Sequence, residues 1–218
     1  PRIMVCVPTG VTEVEKRAFY DLIRDAGVKA RRIMVVEKAV ADGLGLDIDV
    51  KNSQGVLIVN VGYDTTEISI LSLGGIVLSR LIKVGGQKFD DAIRAAVRRE
   101  FSLIIGGKTA ENVKMSLSDL EKEGKGAVVY GRDIVTGLPV ERELPTKLID
   151  ECLVEHFHTI IDNIKVILER TPPELAADIY RHGVYLTGGA SQVNHLAELV
   201  QKGTGLKVNV SENPITSV

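Results

Sequence analysis

Apolar and polar positions along the chain repeat with two periods, near 3.6 in some stretches and two in others, the signatures of helix and strand. Ile3 to Val7 is an apolar run closed by Pro8, Thr9 and Gly10, which reads as a buried strand and turn. Thr12 opens T-x-x-E with Glu15, a capping box in which each residue satisfies a free backbone donor at the start of a helix. Val14, Ala18, Leu22 and Ala26 follow on one helical face, and Gly27 ends it. Ile33 to Val36 is a second strand, and residues 37–45 begin another helix.

From Val56 to Lys83 the period becomes two. VLIVNV, TEISILS and IVLSRLIKV are joined by GYDT and LGG, as in a β-meander closed by Gly85 and Gly86. Phe89, Ile93, Ala96, Val97 and Phe101 mark a helix. Thr109 caps another, with Val113, Leu117 and Leu120 inside. GAVVYGRDIVTGLPVEREL alternates around Gly131 and Gly137 and reads as a hairpin. Leu148 to Leu168 is a long amphipathic helix, with Ile149, Leu153, Phe157, Ile160, Ile164 and Ile167 on its core side. Thr171-Pro172-Pro173-Glu174 starts a further helix, because proline in the first turn loses no needed donor. Val184 to Thr187 is a strand ending at Gly188-Gly189; a helix over 193–202 and a strand over 207–210 complete the pattern. The result is α/β with mixed sheets, a polar boundary over 45–54, and a helix-and-hairpin insertion over about 87–144.

Composition narrows the function classes. A net charge of −2 gives no basic footprint for nucleic acid. Two cysteines, Cys6 and Cys152, are too few for a disulfide framework. No apolar run reaches the roughly 18 residues of a membrane-spanning helix, and no signal peptide is visible. Pro1 leads straight into a strand-like run and ENPITSV stops without a closing helix, which reads as a piece of a longer polypeptide.

Two glycine junctions are candidates for chemistry. Gly62-Tyr63-Asp64-Thr65-Thr66, between two strands, can bring backbone N–H groups and hydroxyls to a phosphate, although a glycine hairpin tip is also an ordinary turn. Gly188-Gly189-Ala190-Ser191, between strand and helix, can aim a helix start at a nucleotide, or serve packing alone. Neither is a dinucleotide fingerprint or a Walker loop. His156 and His158 stand two apart on a helix and face different ways; His182 and His195 read as surface residues. Lys16, Arg17, Arg31 and Arg32 read as a solvated face.

In this order the two junctions resemble the phosphate and adenosine loops of the actin-like ATPase superfamily, which has a ribonuclease H-like fold. VCVPTGVTEVEKRA, TTEISILSLGGIVLSR, GRDIVTGLP, TPPELAADI and LTGG narrow the resemblance to the MreB family of bacterial actin homologues, over essentially the whole chain. It implies that residues 1–46 are part of subdomain IA, 47–84 and 146–218 are IIA, and 85–145 are the IIB insertion. The family's first phosphate loop, subdomain IB and the closing helices of IA would then lie outside this sequence.

The resemblance implies ATP with magnesium as ligand, Glu111 and Lys114 packing on the ribose and base, and Gly188 and Gly189 at the adenosine junction, with Ala190 for a third glycine. Two departures matter. The second phosphate loop of the family reads D-x-G-G-G-T-T-E; here Asn60 replaces the acid associated with magnesium, and Tyr63 and Asp64 replace two glycines. The family also reads E-E-P-M-A-A-A after a strand, and here Lys38 falls where the glutamate that orients the attacking water would stand. An ammonium cannot accept a proton from water, and Glu37 could serve only if the strand register shifted.

The function implied is a cytoskeletal filament protein for cell shape and wall synthesis, binding ATP with weak or absent hydrolysis. Its partners would be copies of itself or related filament proteins and a membrane adaptor of the RodZ type. It would be cytoplasmic, reaching the membrane through a partner or a segment outside this sequence. The alternatives are an actin-fold ATPase of kinase or chaperone type, and a docking scaffold that forms no filament.

Overall fold

In a computed structural model, residues 2–49, 51 and 54–217 are described. The expected boundary over 45–54 therefore lies partly outside the described residues, as do the first and last residues of the chain.

The organising element is a five-stranded mixed sheet in the order β10-β9-β3-β4-β5. β3 (Val56–Val61), β4 (Thr66–Ser72) and β5 (Gly75–Ile82) form the antiparallel meander that the period-two pattern predicts. β9 (Val184–Thr187) and β10 (Val208–Val210) add to β3 in parallel. β3 is buried along its whole length because both sheet faces are covered. Leu57, Val59 and Val61 face a core shared with α3 (Gly86–Phe101) and α5 (Thr146–Glu169). Val56 and Ile58 face the other way, toward Ala39 and Leu71. Phe89 and Phe157 meet edge to face, their centroids 5.3 Å apart, and fix α3 against α5.

The start of the chain is thinner. β1 (Arg2–Val7) and β2 (Arg32–Glu37) pair in parallel across α1 (Glu13–Asp25). The capping box at Thr12 and Glu15 forms as expected. The stripe expected to face a core does not: no residue of α1 is buried, and Val14 and Leu22 are 79% and 65% exposed. α2 (Lys38–Gly45) carries this unit onto the large sheet through Ala39.

The insertion holds α4 (Gly107–Glu123) and a three-stranded sheet in the order β6-β7-β8. β7 (Ala127–Asp133) and β8 (Pro139–Leu144) are the expected hairpin, but Gly131 lies within β7 opposite Val140 and only Gly137 is in the turn. β6 (Leu103–Ile104) is too short for periodicity to announce. Thr109 lies inside α4 rather than capping it, since the cap is Gly106. α6 (Pro173–His182) starts with proline in its first turn. The helix expected from Val193 begins later, as α7 (Leu196–Thr204), after a 3-10 turn over Gly189–Gln192.

Candidate functional site

β3 and β9 are parallel neighbours with Asn60 opposite Thr187, so the loops that follow them emerge side by side. This brings the two glycine junctions together, at the strand ends where open α/β sheets bind ligands. Gly188 has φ of +87°, and a Cβ there would collide with the Val61 carbonyl oxygen, so only glycine fits. Gly85 is equally confined: a Cβ would lie 2.5 Å from the Tyr63 carbonyl oxygen and 2.6 Å from that of Gly62. The first amides of α3 grip the turn from behind. Gly86 N–H donates to the Gly62 carbonyl at 3.0 Å and Gln87 N–H to that of Tyr63 at 2.8 Å.

Beside the turn, a cavity of about 310 Å³ opens between α4 and the Gly189–Gln192 turn. Tyr63, Glu111, Lys114, Gly189 and Ala190 all line it, joined by Gly86, Met115, Gln192, Val193 and Ile215. Gly62 and Thr65 close the adjoining turn through a 2.9 Å bond between the Gly62 N–H and the Thr65 carbonyl, while Asp64 is exposed at its tip. A larger cavity, about 430 Å³ between α4 and β7, lies away from both glycine junctions and holds none of this chemistry.

Some expected residues are elsewhere engaged. Thr66 is fully buried and its hydroxyl donates to the Val84 carbonyl at 2.7 Å, so it does not face the cavity. Ser191 is 2% exposed and is not part of the cavity wall. Lys114 lines the wall, but its ammonium sits 2.7 Å from Asp90 Oδ1 and donates to the Gly86 carbonyl at 3.3 Å, which pins the start of α3. Glu111 is paired with Lys108 at 2.8 Å, and that partner lowers its pKa.

Lys38, the first residue of α2, does reach the turn. Its Nζ lies 3.8 Å from where a Cβ on Gly62 would be and 3.7 Å from Glu67 Oε1. Glu37 points away, with Oε1 3.5 Å from Lys16 Nζ.

Two buried acids stand nearby: Glu67, which closes the second phosphate-loop string, and Asp42, which sequence reasoning did not single out. Glu67 Oε2 accepts from the Thr9 amide at 3.1 Å and the Thr9 hydroxyl at 2.8 Å. Asp42, 1% exposed, takes the Asn60 amide on both oxygens at 2.9 and 2.8 Å, and the Ser217 hydroxyl at 3.1 Å. Burial pushes the Asp42 carboxyl up, against the opposing effect of those hydrogen bonds and of Lys38. Thr187 and Ser217 are linked at 2.7 Å, so a polar chain joins α2, β3, β9 and the end of the chain. The only sequence signal was a lone acid in the otherwise apolar second half of a short helix.

Because the amide nitrogen of Asn60 faces a carboxylate, its Oδ1 must face the other way. That oxygen is buried without a hydrogen-bond partner, 2.6 Å from where a Gly188 Cβ would be and 3.9 Å from the same point on Gly62. It therefore looks into the gap between the two glycine junctions.

His195 also departs from expectation. It is only 34% exposed, caps α7 in the left-handed region, and stands among Glu121, Asp150 and Glu198 at 3.0, 3.8 and 3.5 Å. Burial works against its charge, yet Asp150, Glu198 and Glu121 together raise its pKa. Cys152, by contrast, is pushed up to about 11 by burial and is no nucleophile.

The residues fit an adenine nucleotide. The cavity offers apolar walls from Met115, Val193 and Ile215, a glycine floor at Gly189, and an outlet onto the turn through Tyr63 and Gly86. They do not fit magnesium in the gap. That ion prefers hard anionic oxygens, whereas Asp42 accepts from Asn60 on both oxygens, Glu67 is bonded to Thr9 through Oε2 with Lys38 beside Oε1, and the gap presents a neutral amide oxygen and an ammonium.

A sequence model described as MreB/Mbl protein matches residues 1–218. The chain is 38% identical to the cell shape-determining protein MreB of Escherichia coli (strain K12), covering 100% of this chain and 63% of that protein. A crystal structure of MreB 5 of Spiroplasma citri bound to AMPPNP matches 99% of this chain and 65% of its own, with TM-score 0.90 and 35% identity. A MamK double helical filament matches 99% of this chain and 65% of its own with TM-score 0.79, at 20% identity that speaks to fold alone. The chain thus spans somewhat under two thirds of the length of the first curated relatives it matches. The fold is that of actin-like ATPases, and with a family match end to end the chain belongs to the MreB/Mbl family.

Proposed function

We propose that this chain forms most of the second lobe of a cell-shape filament protein, holding ATP between α4 and the two glycine junctions. The carrying observation is the cavity that unites Tyr63, Glu111, Lys114, Gly189 and Ala190 beside a turn that the Lys38 ammonium also approaches. Residues 1–46 act as part of subdomain IA, 47–84 and 146–218 as IIA, and 85–145 as IIB. Support for the nucleotide also comes from the Spiroplasma citri relative, solved with AMPPNP.

Adenosine sits against Met115, Val193 and Gly189, and the phosphates lead past Gly86 to the Gly62–Thr65 turn. Water activation is the weak step. Lys38 has only protons to donate, both oxygens of Asp42 accept from Asn60, and Glu67, bonded to Thr9 through Oε2, is 4% exposed with Lys38 3.7 Å from Oε1. A general base needs a free acceptor within hydrogen-bond reach of the water. Hydrolysis is accordingly weak or absent, and the filaments are long-lived or mixed with a hydrolysing relative. A membrane adaptor of the RodZ type would dock on subdomain IIA.

Sedimentation of the full-length protein with and without ATP tests this reading, alongside binding of a fluorescent ATP analogue. Nucleotide binding together with ATP-dependent pelleting is expected. Pelleting at no nucleotide concentration, or absence of binding, contradicts it.

A further inference from the structure

Lys38 is an ammonium without a close partner. Glu67 Oε1 stands 3.7 Å away, beyond a good charge-assisted hydrogen bond, and Nζ makes no shorter contact with an acceptor among the described residues. On the other side of the same gap, Asn60 Oδ1 is a buried acceptor with no donor, in a residue only 2% exposed. Such an atom costs free energy until a donor reaches it. The two atoms lie 3.8 and 3.9 Å from one point, the place of a Cβ on Gly62, at the entrance to the glycine turn.

Phosphate oxygens arriving at this turn would meet the lone pairs of Asn60 Oδ1, an acceptor against acceptors, unless a cation stands between them. An ammonium has three N–H groups, and three acceptors would then converge on it: Glu67 Oε1, Asn60 Oδ1 and a phosphate oxygen. The neighbouring acids are already engaged: both oxygens of Asp42 are bonded to Asn60, and Glu67 is tied to Thr9 through Oε2 while its other oxygen stands beside Lys38 itself. A divalent ion in the gap would also face a fixed positive charge.

We propose that Lys38 serves in this chain as a tethered counter-cation for the phosphates of the nucleotide, so that nucleotide binding does not require a divalent metal. This rests on the nucleotide reading above and adds to it which charge holds the phosphates. A lysine is a point charge on a flexible stem, and can swing from Glu67 toward Asn60 and the ligand as a bound ion would.

The test is a titration of the full-length protein with a fluorescent ATP analogue, in magnesium and in excess EDTA. Wild-type affinity should change less than about threefold between the two, whereas Lys38→Met should lose about tenfold or more in EDTA, roughly one close charge pair. Lys38→Arg, which keeps the charge, should retain most of the metal-free binding. Thermal melts of each variant separate loss of binding from loss of fold. Wild-type binding seen with magnesium but lost in EDTA overturns the inference and leaves the nucleotide reading standing. So does equal binding by folded Lys38→Met in EDTA. Absence of binding in either solution overturns the nucleotide reading itself, and the role of Lys38 falls with it.

Discussion

The two units of the chain read alike in sequence and differ in what they bury. α5 and α1 both carry apolar residues at helical spacing, yet α5 buries seven residues, including Ile149, Leu153 and Phe157, whereas α1 buries none. Periodicity sets which face of a helix is apolar; only a partner surface makes that face a core. The units also meet in a distinctive way. A second, smaller apolar cluster, in which Ala39, Val40 and Leu46 pack with Val56, Ile58, Leu71 and Ile76, is flanked by the polar links Thr9–Glu67, Lys38–Glu67 and Asp42–Asn60–Ser217. Polar links change with charge and ligand far more readily than a packed core does, which suits the gap proposed to take a nucleotide.

Removing the packed side should cost most. Phe157→Ala, at the contact with Phe89, should destabilise by about 3–5 kcal/mol in denaturant unfolding. A loss under 1 kcal/mol would mean that the α3–α5 seam is not the core. Next comes the seam between units. Asp42→Ala strands the Asn60 amide, removes one partner of the Ser217 hydroxyl and should cost about 2–3 kcal/mol. Asp42→Asn, which keeps an acceptor for the Asn60 amide, should cost clearly less. Gly188→Ala should lower stability by about 1–3 kcal/mol, through its positive φ and the clash with the Val61 carbonyl, and should weaken nucleotide binding in the same titration.

A smaller effect follows pH. The pKa of His195 is raised in the fold, so its ion pairs stabilise fully below its ordinary value of about 6.5 and are lost as pH rises through the raised value. Thermal melts from pH 6 upward should show a shallow decline that His195→Gln removes; the same slope in the variant would assign it to other groups. Smallest of all, Leu22→Ala on the uncovered stripe of α1 should change stability by less than about 0.5 kcal/mol. A loss above 1 kcal/mol would show that something covers that stripe.

Much of the fold was legible because long elements declare their period. The meander, α5, and the capping box at Thr12 with Glu15 stand where the pattern puts them. Short or irregular elements were not: β6 has two residues, and the delayed start of α7 depends on His195 adopting a left-handed backbone, which only tertiary packing imposes. At the candidate site, the glycines showed where backbone approaches backbone, as at Gly188. Thr66 was placed with them by adjacency, but strand alternation turns its hydroxyl inward to Val84. Asp42 stayed hidden because it lies 18 positions from Asn60 and reaches it only when α2 docks on β3.

The central claim is that this site holds nucleotide without an acid free to handle water. Full-length protein incubated with ATP and magnesium, stripped of free nucleotide and then denatured, should release its bound ligand for chromatography. The ligand recovered should be chiefly unhydrolysed ATP. Recovery of ADP with steady phosphate release would contradict it.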